Sequence, residues 1–198
     1  MQRTLLALAI VGVPAFANAE PPKVDWARGL VIAEGVGVAN RHAPNPAVAR
    51  GTSKRGAEEA ARRVLAEKVG DLPVAGGGTV EKAAKKDAAV KERVAAAVAE
   101  AITLDATPET DGAWTVTMAV PIEAVRQAIA GPRELGADGD SGPAVMILDG
   151  LKGKPAVGAI AAPTIWVSEI PAWAKDAPKV DAKGLTPAAQ TLYVVVTK

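Results

Sequence analysis

Cysteine is absent from all 198 residues. That excludes disulfides as a source of stability and removes the thiolate sets that hold most structural zinc. It also excludes a lipid anchor of the bacterial lipoprotein kind, which needs a cysteine just after the leader. Histidine occurs once, as His42, and aromatic side chains make up only 3% of the chain. No apolar run approaches the roughly 20 residues that span a bilayer. Neither charge sign dominates, with 23 Lys and Arg against 22 Asp and Glu. A nucleic-acid partner is therefore not expected, because offsetting phosphate takes a basic surplus. Apolar residues are plentiful at 49%, but many are alanine, which buries little area. The core must be thin and drawn from Val, Ile, Leu and a few Trp.

The first nineteen residues read as a cleavable secretory leader. Arg3 and the amino terminus supply positive charge, Leu5 to Val13 is apolar apart from Gly12, and Pro14 breaks the run. Ala17-Asn18-Ala19 then presents small side chains at the two positions a signal peptidase selects. The expectation is export to a bacterial periplasm, with the working chain starting at Glu20 and carrying no lipid. Removing the leader removes Arg3 and leaves a neutral protein.

Behind the leader the periodicity alternates between two and 3.6. Residues 26–38 read as a strand in which Leu30, Ile32 and Glu34 alternate against Val31 and Ala33, with Gly35 and Gly37 marking a bend or bulge. Residues 40–50, with Pro44, Asn45 and Pro46, read as a loop. A helix is predicted from an N-cap at Ser53 to Gly70 or Asp71, burying Ala57, Ala60, Ala61, Val64, Leu65 and Val69. A second is predicted from about Val80 or Lys82 to Ala101, its apolar stripe (Ala84, Ala88, Val94, Ala95, Val98, Ile102) interrupted by Lys91. Ile102–Thr107 and Trp114–Val120 then form a hairpin with one buried face, on which Ile102, Leu104 and Ala106 are expected. Residues 122–130 read as a closing helix. The polar, Gly-rich stretch from Gly131 to Pro143 reads as a linker, followed by strand candidates at 145–148, 165–167 and 192–197 that form either a small second module or additions to the first sheet. The fold class is α+β: an antiparallel sheet with two helices packed on one face, then a small β-rich segment. The expected divisions are 1–19, 20–131, 132–143 and 144–198.

This order resembles the LPP-twenty lipoprotein family and the related N-terminal domain of the flagellar assembly protein T. The residues that carry the likeness are Ile32-Ala33-Glu34-Gly35-Val36-Gly37, the Ala57–Leu65 helix, the valines Val90, Val94 and Val98, and the Asp111–Val120 hairpin. Val145–Gly150 and Pro155 look like a degraded form of the segment that follows in many relatives. The resemblance implies an envelope protein associated with the outer membrane, in some members placed in flagellar assembly, and does not imply catalysis. The chain departs from the lipoprotein members in lacking the lipid-accepting cysteine.

Sites of chemistry are scarce. His42 has no second histidine or cysteine to complete a zinc set and reads as a solvated loop residue. Gly35-Val36-Gly37-Val38-Ala39-Asn40 lacks the third glycine and the helix of a dinucleotide fingerprint. Gly76-Gly77-Gly78-Thr79 lacks a phosphate-loop lysine, so a turn is the better reading. Asp138–Gly142 starts like a calcium loop but lacks its later ligands. Ser53, Ser141 and Ser168 are the only serines, and none sits in a nucleophile elbow. Glu58-Glu59 reads as a wet helix face. No catalytic residue, metal ligand or cofactor is therefore expected. Among the tryptophans, Trp114 falls in phase with the core. Trp166, flanked by Ile165 and Val167, is a candidate to face outward and form an exposed partner-binding surface with Trp173; packing into a core is the competing reading. The function these readings favour is a non-enzymatic periplasmic protein that binds another envelope protein, as a monomer or a homo-oligomer. A glycan or peptidoglycan binder using exposed tryptophans is the alternative, and a hydrolase a weaker third.

Overall fold

The computed structural model describes residues 23–39, 41–131, 143–149, 151, 153–188 and 190–197. The leader, the Asp138–Gly142 loop and the linker up to residue 142 lie outside them. The chain is α+β, and its described residues form two four-stranded sheets, the first antiparallel and the second parallel.

The first sheet has the order β1-β2-β4-β3, from β1 (Lys23–Asp25), β2 (Leu30–Gly37), β3 (Ile102–Pro108) and β4 (Trp114–Pro121). Its inner face carries Val31, Ala33, Val116, Met118 and Val120, all buried. Gly35 and Gly37 do not bend β2. They stay in the ladder opposite Val116 and Trp114, and their missing side chains let a helix lie directly on the strand. A Cβ on Gly37 would stand 2.6 Å from Ala57 N, and one on Gly35 would stand 3.0 Å from Ala61 Cα.

That helix, α1, runs Pro46–Gly70, and its N-cap lies eight residues before the one the sequence pattern suggests. Asn45 is the true N-cap, its side chain accepting from Val48 N at 3.0 Å, with Pro46 in the first turn. Asn followed by Pro is a helix start as well as a loop signal, because the proline lacks only an N–H that would go unpaired anyway. Ser53 lies inside the helix, buried, and its hydroxyl donates to Gly37 O. Ala57, Ala61, Leu65 and Val69 continue its buried line at four-residue spacing.

The second predicted helix is two: α2 (Val80–Lys86) and α3 (Ala88–Ala99). Asp87 between them is extended, and its carboxylate accepts from Ala89 N and Val90 N, capping α3. A buried-face stripe is blind to such a break, because residues on both sides still point the same way. Asp87→Ala should cost about 1 kcal/mol by removing this cap, read as a lower urea midpoint with an unchanged slope. The closing helix, α4 (Ile122–Ala130), is present as the pattern indicates, with Ile122 and Val125 in the core.

The second sheet is built from β5 (Val145–Asp149), β6 (Thr164–Val167), β7 (Lys179–Asp181) and β8 (Leu192–Val196), in the order β6-β8-β5-β7. The strand candidates at 145–148, 165–167 and 192–197 therefore form a sheet of their own rather than extending the first. Both of its faces are covered, as parallel sheets require: Leu148, Trp166, Tyr193 and Val195 pack on one side, Ile147, Ile165, Val167 and Val194 on the other.

The two sheets are joined by backbone hydrogen bonds. Trp166 N donates to Trp26 O (3.0 Å), Val157 N to Pro73 O (2.8 Å), and Ala75 N to Val157 O (2.9 Å). Val157 is buried in the first core, and Trp26 packs against both. Beside the joint, Arg126 is 7% exposed and makes a bidentate pair with Glu123 at 2.6 and 2.7 Å. The remaining space there is about 10 Å³, enough for a single water.

Candidate functional site

Trp166 does not face outward. It is 5% exposed, packed with Leu148, Ile160, Tyr193 and Val195. Inferring an outward tryptophan from inward Ile165 and Val167 holds only for a sheet wet on one face. This sheet is dry on both, so alternate residues enter two different cores. Trp173 is 61% exposed on the 3-10 turn Ala172–Ala174. That turn packs through Ala174 on the Ile165 side of the sheet, opposite Trp166. The two tryptophans therefore do not share a surface, and Trp173 stands alone. Trp114 is half-buried against the first core, its ring 5.5 Å from Lys54 Nζ.

The other candidates are dispersed. His42 is exposed in the turn before α1, Glu58 and Glu59 sit on α1, Ser53 is used in packing, and Gly76, Gly77 and Gly78 form a positive-φ turn. Among the described residues no three His, Cys, Asp or Glu side chains stand together as metal ligands. No described helix is long and apolar enough to cross a membrane.

Two surfaces stand out that the sequence pattern hides. The first is the outer face of the antiparallel sheet. Ile102 was expected in the core, yet it is 47% exposed and Leu104 is 41% exposed. The reason is register. Ile102 pairs with Ala119, on the outer face, while Thr103 takes the inner place opposite Met118. Leu104 is the extra residue of a bulge between Thr103 and Asp105. Ile32 also pairs with Ala119, so half-buried Ile32, fully buried Ala119 and exposed Ile102 lie in one apolar row, open to solvent at its Ile102 end. The row ends at β3, which among the described residues has a neighbour on one side only.

The second surface is an open groove of about 730 Å³ among three helices. Ala66 and Gly70 of α1, Val80 and Ala84 of α2, and Val94 and Val98 of α3 line it. Glu81, Lys85 and Lys91 stand at its rim. Lys85 Nζ lies 2.7 Å from Glu81 Oε1, and that hydrogen bond and charge hold the Glu81 carboxyl below its ordinary value of 4.5. Lys91 makes no ion pair among the described residues.

The fold and these surfaces define an α+β protein with two apolar, solvent-facing features. No protein-family model matches the chain, and neither a curated protein nor a solved structure matches it.

Proposed function

We propose that the chain is an exported envelope protein that works by holding another protein, with the β3 edge and the adjoining outer face of the first sheet as its grip. The observation that carries this reading is the exposed pair Ile102 and Leu104 on β3, which has no second strand neighbour among the described residues. Exposed apolar side chains on an edge strand suit a partner that covers them and bonds the open backbone. The secretory pattern of residues 1–19 and the resemblance to envelope proteins support a periplasmic setting.

The test is a photo-crosslinking residue at Leu104, compared with one at Glu59 on α1, in cells that export the protein. One discrete adduct is expected from position 104, none from 59, and its loss in the Ile102→Glu variant. That variant should keep its stability within about 0.5 kcal/mol, because the site is exposed. Equal labelling from both positions, or an adduct indifferent to Ile102→Glu, defeats the reading.

A second reading rests on Trp173, whose 61% exposure leaves an indole face open. Stacking on a sugar ring would quench its fluorescence when cell-wall fragments are added, and Trp173→Phe would abolish the response. No quenching at millimolar fragment removes the glycan reading.

A further inference from the structure

The stripe that sequence periodicity marks for burial on residues 84–98 enters the core only at its end, where Val98 is buried and Val94 packs beside it. Ala84, Ala88, Val94, Ala95 and Val98 line the open groove against Ala66 and Gly70 of α1. Ala66, Ala88 and Ala95 are exposed. Lys91, the one charge in that stripe, lies in the same lining with no ion pair among the described residues, while its neighbour Lys85 is held by Glu81. With Glu81 and Lys85 offsetting each other, the rim carries one uncompensated positive charge.

We infer that this groove is a docking site for an amphipathic helix of a partner protein, seated by its apolar face and bearing a carboxylate opposite Lys91. The shape selects a helix. Alanine walls rise by a single methyl, so they cannot enclose a thin alkyl chain, and much of it would stay wet. The same low walls let a helix of about 10 Å diameter approach closely and cover all three sides at once. The lining itself has 3.6-residue spacing, the pattern with which helices meet helices. Charge selects the carboxylate, because a helix laid over the groove would cover the exposed Lys91 ammonium, which then needs an anion. This site is separate from the β3 edge, so either can fail without the other.

The test uses the full mature chain and two labelled synthetic helices of about 18 residues, roughly five turns. Both carry the same leucine stripe, one flanked by glutamates and the other by lysines, and binding is read by fluorescence anisotropy. The glutamate peptide should bind and the lysine peptide should bind more weakly. Lys91→Glu should weaken the glutamate peptide roughly five-fold, the size of a half-exposed ion pair, and reverse the preference between the two. Ala84→Trp should fill the groove and abolish both, with circular dichroism confirming the fold; should that variant unfold, the charge reversal alone decides. Ile102→Glu should leave peptide binding unchanged. Equal binding of both peptides, or a preference indifferent to Lys91→Glu, overturns the proposal. Binding of laurate but neither peptide would assign the groove to an amphiphile. Self-association that Ala84→Trp removes would assign it to a second copy. Either outcome overturns the partner helix.

Discussion

Gly37→Ala should cost about 3 kcal/mol or more, and Gly37→Val should leave no cooperative unfolding transition. The added Cβ stands 2.6 Å from Ala57 N and 2.9 Å from Ser53 C, and closer still to Ser53 O. These are backbone atoms of a helix whose own hydrogen bonds fix them, so no side chain can swing aside. Relief requires lifting α1 from β2. That lift opens the packing of Ala57, Ala61 and Leu65 and breaks the Ser53–Gly37 bond, itself worth about 1 kcal/mol. Overpacking ordinarily costs about 1–3 kcal/mol, and a rigid backbone neighbour places this site at the upper end. Against a total stability of roughly 5–15 kcal/mol, that is a large share, lowering the melting temperature by about 6–12 °C. Gly51 provides the control within α1, since a Cβ there meets nothing within 4 Å. Gly51→Ala should stabilise by about 0.5–1 kcal/mol through helix propensity. Urea unfolding of the three variants decides the matter, and a Gly37→Ala loss no greater than 1 kcal/mol would contradict the close contact.

Trp166→Ala and Trp173→Ala should differ in stability by about 3 kcal/mol or more, although both are single tryptophan truncations. Trp166 fills one face of the parallel sheet, with Leu148, Tyr193 and Val195 around it. Its removal loses the transfer energy of the indole and leaves a void that strands β5 and β8 cannot collapse into, at about 3–5 kcal/mol. Trp173, at 61% exposed, should change stability by at most about 0.5 kcal/mol. The emission spectra should separate them as well, since Trp173→Ala removes the water-exposed, red-shifted component. If the two substitutions prove equally costly, the assignment of these tryptophans to opposite sides of the sheet is wrong.

How much of this was legible in the sequence depends on how local each feature is. The buried line Ala57, Ala61, Leu65 and Val69 was readable, because helix spacing is written into consecutive residues. So were the inward residues of β4 and the bounds of α4. The start of α1 was missed because Asn45 and Pro46 serve loops and helix starts alike. The break at Asp87 was missed because it leaves the apolar stripe in phase. Ile102 and Leu104 were misplaced by a register and a bulge, which belong to the pairing of two strands rather than to either one.

The candidate sites divide along the same line. That Trp173 is open and Trp166 closed cannot be read from flanking residues, since it depends on whether one or both faces of the sheet are covered. The apolar groove was present in the sequence as a stripe with one misplaced lysine, but it was indistinguishable from a core stripe. The sequence by itself determined the missing chemistry of cysteine, the even charge, the secretory pattern and the order of α and β segments, all properties of composition or short range. Only the tertiary structure decided why Gly35 and Gly37 are glycine, that the last four strands run parallel in a sheet of their own, and which apolar side chains stay wet. The physical reason is that burial is a relation between distant segments: a residue's own neighbours set the direction of its side chain, and the rest of the chain decides what waits there.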